Sequence, residues 1–313
     1  MTTPNRTLMQ KADMAVSDLI SDGGYLPNER AQEFIRNLIK ASVVLKTIQV
    51  VGTKSHTKVL DKVGFTGRIL KPGTSGSALP VGDRSKPTTG TVTLTTKLMK
   101  GEVRLNDEVL EDNIENGTFK TTVLQMMEEQ CAYDMDELAV NGDTASPDAY
   151  LALLDGMLKL AVSHPVNAGD NVLAKSYLKT ATKTMPSKYR RNKANFVFMT
   201  SEQVEIDYRD YLSDRVGTLA DSMITGDIPL RYNNVPIQGV PAFPDNIGTG
   251  SHCTKVLYFD PKVAVWGIWR KIMIETGRDI SSGEWMMVAT VRAGFQYQEE
   301  DAVVEINNVK TNT

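Results

Sequence analysis

The chain has 313 residues, 41% hydrophobic and 23% charged, with a formal net charge of −3. That is enough to bury one or two substantial cores without disulfide staples, and the two cysteines, Cys131 and Cys253, are far apart in sequence. The slightly acidic total argues against a protein whose main task is to grip nucleic acid, and the longest apolar runs, such as "WMMVATV", are far too short to cross a bilayer. No charged and apolar leader is recognisable at the N-terminus, so synthesis in the cytoplasm with reduced thiols is the expectation.

Residues 1–24 are polar and weakly patterned, with Gly23-Gly24 as a break, and read as an arm ordered by contact with partners. A helix is expected after Pro27-Asn28, where Phe34, Ile35, Leu38 and Ile39 recur at helical spacing. "TIQVVGTKSHTKVLDKV" then alternates as a strand does, "RILKPGTSGSALPVGDRSKPTTG" scatters Gly and Pro, and "TVTLTTKLMKGEVRL" alternates again. This pattern predicts a long two-stranded excursion that needs another surface to rest on, because an isolated hairpin is marginal in water.

The clearest helix follows, with Phe119, Val123, Met127, Cys131, Met135 and Leu138 stepping by four or three between "NGT" and "NGD". Glu128, Glu129, Asp134, Asp136 and Glu137 occupy its remaining faces. Further helices are expected over "YLALLDGMLKLAVS" and "VLAKSYLKTATKTMP", then a buried strand in "ANFVFMTSE" leading into a helix over "SEQVEIDYRDYLSDRV". "VPIQGVPAFP" reads as a proline-punctuated edge segment, and the stretch from Lys255 onward as an antiparallel sheet. Helices followed by a strand-rich end give an α+β protein.

Charge is unevenly distributed along this order. Between Lys54 and Arg104 ten cations face three anions, whereas between Leu105 and Asp155 thirteen acids accompany the single cation Lys120. Within the acidic segment, Asp107, Glu108, Glu111, Asp112 and Glu115 would form two rows on a helix. They lack the glycine and terminal glutamate of a calcium loop, and no histidine is near enough for a two-metal carboxylate site. A surface facing solvent or a partner is the better reading.

Other chemical motifs fail on spacing. "VGTKS" lacks the first glycine of a phosphate loop, and no Gly-x-Ser-x-Gly elbow exists. His252-Cys253, with His56 and His164 as remote candidates, has no second ligand pair. Lys188, Arg190, Arg191 and Lys193 in "KYRRNKANFVF" read as a solvated loop or subunit salt bridges before a phosphate site. No catalytic residue, cofactor or metal is expected.

The order of segments resembles the major capsid proteins of tailed double-stranded-DNA bacteriophages, in the Hong Kong 97-type fold. The resemblance begins with "VRLNDEVLEDNIENGTFKTTVLQMMEEQCAYDMDELAVNGD", a strand leaving an extended loop, an acidic turn, a long spine helix and a Gly-Asp exit. It continues through "MPSKYRRNKANFVFMTSEQVEIDYRDYLSDRVGTLADSMITGDIPLRYNNVPIQGVPAFP", and covers about residues 30–308. It implies an N-terminal arm (residues 1–46), an extended β-hairpin loop (47–105), a peripheral domain with spine helix and sheet (106–150 and 255–313) and an axial domain (151–254).

The resemblance further implies a non-enzymatic subunit that assembles with itself into hexamers and pentamers of an icosahedral shell around double-stranded DNA. The shell would be built in the host cytoplasm and become the virion capsid. A separate scaffolding protein and a portal are the expected partners, since the chain has no room for a large scaffolding segment of its own; DNA would be met without sequence specificity, and no membrane is involved. In that family the extended loop lies across a neighbour's peripheral domain, so Lys71, Arg84 and Lys86 near the loop tip become candidates for contact with Glu128 and Glu129 on a neighbouring spine helix. The alternatives are a nanocompartment shell of the encapsulin kind and a cytosolic metal-assisted hydrolase using Asp107, Glu111 and Asp112.

Overall fold

The computed structural model describes residues 42–53, 55–65, 68–73, 75–106, 119–213, 229–247, 252–269 and 273–311. The described chain opens on one helical turn, α1 (Val44–Thr47), followed by β1 (Gln49–Thr53), β2 (Thr57–Gly64), β3 (Thr88–Thr95) and β4 (Lys97–Asn106). The long helix α2 (Phe119–Asn141) comes next, then α3 (Met157–Leu160), β5 (Pro165–Val172), α4 (Lys175–Thr184), β6 (Val197–Thr200) and α5 (Glu202–Ser213). Strands complete it: β7 (Arg231–Tyr232), β8 (Val235–Gly239), β9 (Cys253–Phe259), β10 (Ala264–Trp269), β11 (Met273–Asp279), β12 (Glu284–Tyr297) and β13 (Val303–Lys310). The helix expected after Pro27-Asn28 and the acid cluster from Asp107 to Glu115 lie outside the described residues.

Strand β12 organises the first sheet. Along one edge residues 284–293 pair antiparallel with β4; along the other, residues 284–290 pair with β11 and 293–297 with β10, to which β1 adds in parallel. The second sheet has the order β5-β13-β9-β6-β8-β7, and β2 and β3 form a separate antiparallel hairpin.

The second sheet is a wall shared by two cores, which explains the continuously apolar runs "NFVFM" and "VLYF". Alternation along its strands sends Val197, Met199, Leu257 and Phe259 into a cluster with α2 and the first sheet. Phe196, Phe198, Val256, Tyr258 and Ile306 enter a second cluster with α4 and α5, where Phe198 stacks on its cross-strand partner Tyr258 at a centroid distance of 4.5 Å. Strands buried on both faces lose the polar alternation of a half-exposed sheet.

Several expectations are corrected. The strands after residue 255 do not make one sheet: β10, β11 and β12 join the first, while β9 and β13 join the second. Strands β1 and β4 pair within the first sheet, and the separate hairpin is formed by β2 and β3. Segment Val235–Gly239 is not an edge, since β8 has β6 on one side and the short β7 on the other. Strand β5 was not expected, because "NAGDN" has turn composition; the strand accommodates it by a register shift against β13, with Gly169 and Asp170 at positive φ.

The helix expected over residues 150–163 is two fragments, a turn at Leu151–Leu153 and α3. Gly156 separates them. Its N–H donates to the Gly142 carbonyl at 2.8 Å, and a Cβ there would lie 2.8 Å from the Ala139 carbonyl oxygen and from the Gly142 nitrogen. The close approach of two glycines closes the end of α2 and interrupts the segment that follows.

On α2, Met127, Met135 and Leu138 are buried as their spacing implies. Asp136 departs from the expected polar face. It is 5% exposed, and its carboxylate accepts hydrogen bonds from the Ser42 hydroxyl and from the N–H groups of Val43 (2.7 Å), Val44 (3.3 Å) and Leu45 (3.4 Å). A carboxylate from a distant helix thus caps α1 and fixes where the N-terminal segment meets the body. Asp136→Asn would turn an amide N–H toward these donors or leave some of them unpaired. Urea unfolding is expected to show a loss of about 1.5–3 kcal/mol.

Candidate assembly surface

Among the described residues the β2–β3 hairpin is largely exposed, and its root explains why it leaves the body where it does. Gly267 on β10 and Gly294 on β12 are cross-strand partners. A Cβ on Gly294 would overlap the Thr95 carbonyl, and one on Gly267 would overlap the side chain of Leu94, which is fully buried. Two side-chain-free positions make a saddle that lets the end of β3 cross the sheet at backbone contact. Beyond the saddle, the Thr96 N–H and hydroxyl both donate to the His56 carbonyl at 3.0 Å, clasping the two arms together.

From that clasp the ladder runs from Thr57↔Thr95 to Gly64↔Thr88. One face of β2 is half-buried through Lys58, Leu60 and Lys62, while Val59 and Asp61 are exposed. Partway along, Lys62 forms an ion pair with Glu299 at 3.4 Å, and Glu299 also accepts from the Tyr189 hydroxyl at 2.8 Å. Burial and the adjacent Glu299 raise the Tyr189 hydroxyl well above its ordinary pKa, so it stays a donor.

At the tip the two arms are held by local bonds. Lys71 pairs with Asp83 at 3.7 Å, Arg84 Nε–H donates to the Leu79 carbonyl at 3.1 Å, and the Ser85 hydroxyl donates to the Arg68 carbonyl at 3.3 Å. Lys71, Arg84 and Lys86 are all exposed, as a contact surface requires.

On α2 the two candidate acids do not share a face. Adjacent residues on a helix point about 100° apart, and Glu129 is exposed while Glu128 is half-buried. Glu129 lies on the outer surface with Met126 and Tyr133, both large and exposed. The half-buried Cys131 thiol is pushed up to about 11, first by burial and then by the charges of Asp134 and Glu128.

The remaining motifs serve structure. The Cys253 thiol donates to Asp170 at 3.4 Å, and the His252 carbonyl accepts from the N–H and hydroxyl of Thr311. In "KYRRNK", Lys188 stands over the Tyr189 ring at 4.9 Å and Arg190 donates to the Thr182 carbonyl at 3.4 Å, bracing the segment internally. Among the described residues no group of three or more His, Cys, Asp or Glu could hold a metal, and no helix is long and apolar enough to cross a membrane. The hydrolase candidates Asp107, Glu111 and Asp112 lie outside the described residues. The glycine saddle was missed from sequence, although single glycines inside "VWGIW" and "RAGFQY" were its signal.

This architecture is shared by shell-forming capsid subunits. The satellite phage P4 procapsid, solved with its size determination (Sid) protein, matches with a TM-score of 0.66 at 12% identity, covering 99% of this chain and 98% of that one. The capsid of the native GTA particle matches with a TM-score of 0.63 at 14% identity (86% and 90%), and the capsid of Ralstonia phage GP4 with 0.61 at 12% (85% and 88%). In sequence, a Bacillus subtilis (strain 168) protein named as a prophage capsid protein, YqbE, is 36% identical over 310 residues, 98% of this chain and 99% of that one. The family model described as "Phage capsid family" matches residues 23–308, and the chain belongs to that family. It is a structural major capsid protein of the virion shell, not an enzyme, and the hydrolase alternative is set aside.

The saddle makes a sharp prediction. Gly294→Ala must displace backbone at Thr95 and is expected to lower unfolding stability by about 1–3 kcal/mol. Gly277→Ala on β11, where a Cβ meets nothing within 4 Å, is expected to change it by less than about 0.5 kcal/mol in the same urea titration.

Proposed function

We propose that the subunit assembles into hexamers and pentamers of an icosahedral shell enclosing phage double-stranded DNA, and that the cationic hairpin of one subunit settles on the anionic α2 region of its neighbour. The observation that carries the contact is the exposed hairpin: its tip cations Lys71, Arg84 and Lys86 lie outside both cores, and the acids of α2 lie on another element. Complementary fields steer association and fix register more than they add affinity. Single exposed pairs contribute roughly 0–1 kcal/mol, but a closed shell repeats each contact over many copies.

Two parts of the chain take distinct positions in the proposed shell. A peripheral part would comprise residues 106–150 and 255–313 and an axial part residues 151–254, a division supported by the two clusters, one around α2 and the first sheet and one around α4 and α5. Assembly would occur in the host cytoplasm with a separate scaffolding protein and a portal, and DNA would meet the inner face without sequence readout. Membership of the family supports this reading of the partners.

Charge reversal tests the contact. Lys71→Glu, Arg84→Glu and Lys86→Glu combined are expected to raise the critical concentration for assembly at least tenfold at low salt, equivalent to about 1.4 kcal/mol per subunit. Sedimentation and electron microscopy are the readouts. Glu129→Lys, with Glu128→Lys, is expected to restore shells in part. Normal shells from the triple variant would refute the electrostatic contact.

A further inference from the structure

Between Asp170 and Glu202 the chain carries seven cations, from Lys175 to Lys193, and no acid. Elsewhere surface cations are neutralised by neighbours, as Lys62 is by Glu299, Lys159 by Asp143 and Arg209 by Glu205. Among the described residues no carboxylate forms an ion pair with Lys175, Lys179, Lys183, Lys188 or Arg191, and all five are exposed.

The fold gathers these charges. Leu178 and Ala181, both fully buried, turn the apolar side of α4 onto the second core. Lys175, Lys179 and Lys183 then fall in one outward row at i, i+4, i+8, bordered by the exposed and uncharged Ser176, Thr180 and Thr184. The Arg190 guanidinium donates to the Thr182 carbonyl at 3.4 Å, which ties the loop bearing Lys188 and Arg191 to the last turn of the helix. Row and loop therefore make one patch.

We propose that this patch holds the phosphate backbone of double-stranded DNA, which turns the α4 side of the second sheet toward the shell lumen. The proposal rests on the shell reading above and names the DNA-facing surface within it.

Spacing and chemistry favour a duplex as the partner. Lysines four apart stand about 6 Å apart along a helix axis. Two phosphate steps of one strand cover a similar ~6.8 Å along a duplex. Ammonium groups on flexible stems read charge and not sequence, as packing of a whole genome requires. Tyr177 and Tyr189 are half-buried, so among the described residues from 171 to 191 no exposed ring offers a platform on which unpaired bases could stack. With a net charge of −3, the chain as a whole does not attract DNA, so binding requires a local concentration of this kind. The patch shares no residue with the hairpin or α2, and is free of the contact between subunits proposed above.

Fluorescence anisotropy of a labelled duplex of about 20 base pairs, titrated with the unassembled full-length subunit between about 50 and 200 mM salt, tests the patch. Lys175→Gln, Lys179→Gln and Lys183→Gln combined are expected to weaken binding at least tenfold at the lower salt. The log–log salt slope should flatten by about 2–3, since each lost phosphate contact removes ~0.9. Lys97→Gln with Lys262→Gln, exposed lysines on other elements, is expected to leave that slope unchanged. An unaltered slope in the triple variant would overturn the proposal. So would a triple variant that keeps its urea midpoint but no longer forms shells, because the patch would then be an interface between subunits. Intact empty shells treated with an amine-reactive dextran too large to enter are expected to leave the three lysines unlabelled, whereas the free subunit is labelled. Labelling of these lysines in shells would put the patch outside and overturn the proposal. Wild-type protein that forms no shells would overturn the shell reading, while the duplex titration would still decide the patch.

Discussion

The architecture depends on a place where two strands carry no side chains. Gly267 and Gly294 face each other across β10 and β12, and over them the end of β3 crosses the first sheet at backbone contact. Leu94 buries itself there and Thr96 clasps His56, so the hairpin has a fixed origin and direction before any partner is present. Among the described residues between 57 and 95 all but Leu94 are exposed or half-buried, as expected of an element whose second surface is supplied by another subunit.

What the hairpin leaves behind must be stiff enough to hold it. The shared second sheet provides this, since β6, β9 and β13 each contribute residues to both cores and so couple them. Asp136 ties the incoming N-terminal segment to α2, and Gly142 with Gly156 closes the far end of that helix. The C-terminal end of the helix that bears the proposed contact surface is therefore fixed by interactions with other parts of the chain.

Much of this was legible in sequence where periodicity carries the information. The α2 spacing placed Met127, Met135 and Leu138 inward, and the Gly- and Pro-rich run between two alternating stretches marked the excursion. Long-range pairing was not legible. Nothing local distinguishes Val303–Lys310, which joins the second sheet, from Glu284–Tyr297, which organises the first. Asp136 looked like one more surface acid because its donors lie more than ninety residues away. Gly156 broke an expected helix because its partner is the end of another. The acidic run from Asp107 to Glu115 lies outside the described residues, and its charge is known from sequence alone. Family membership, by contrast, was legible from the order of segments, and the comparisons bear it out.

The central claim is that the rooted hairpin of one subunit completes its packing on another. Cryo-electron microscopy of shells assembled from the unmodified protein tests it most directly, at a resolution that traces residues 57–95. The expected density continues from the Gly267–Gly294 saddle of one subunit and ends over α2 of a neighbour. A hairpin folded back onto α2 of its own subunit, or projecting from the shell with no neighbour beneath it, would contradict the claim.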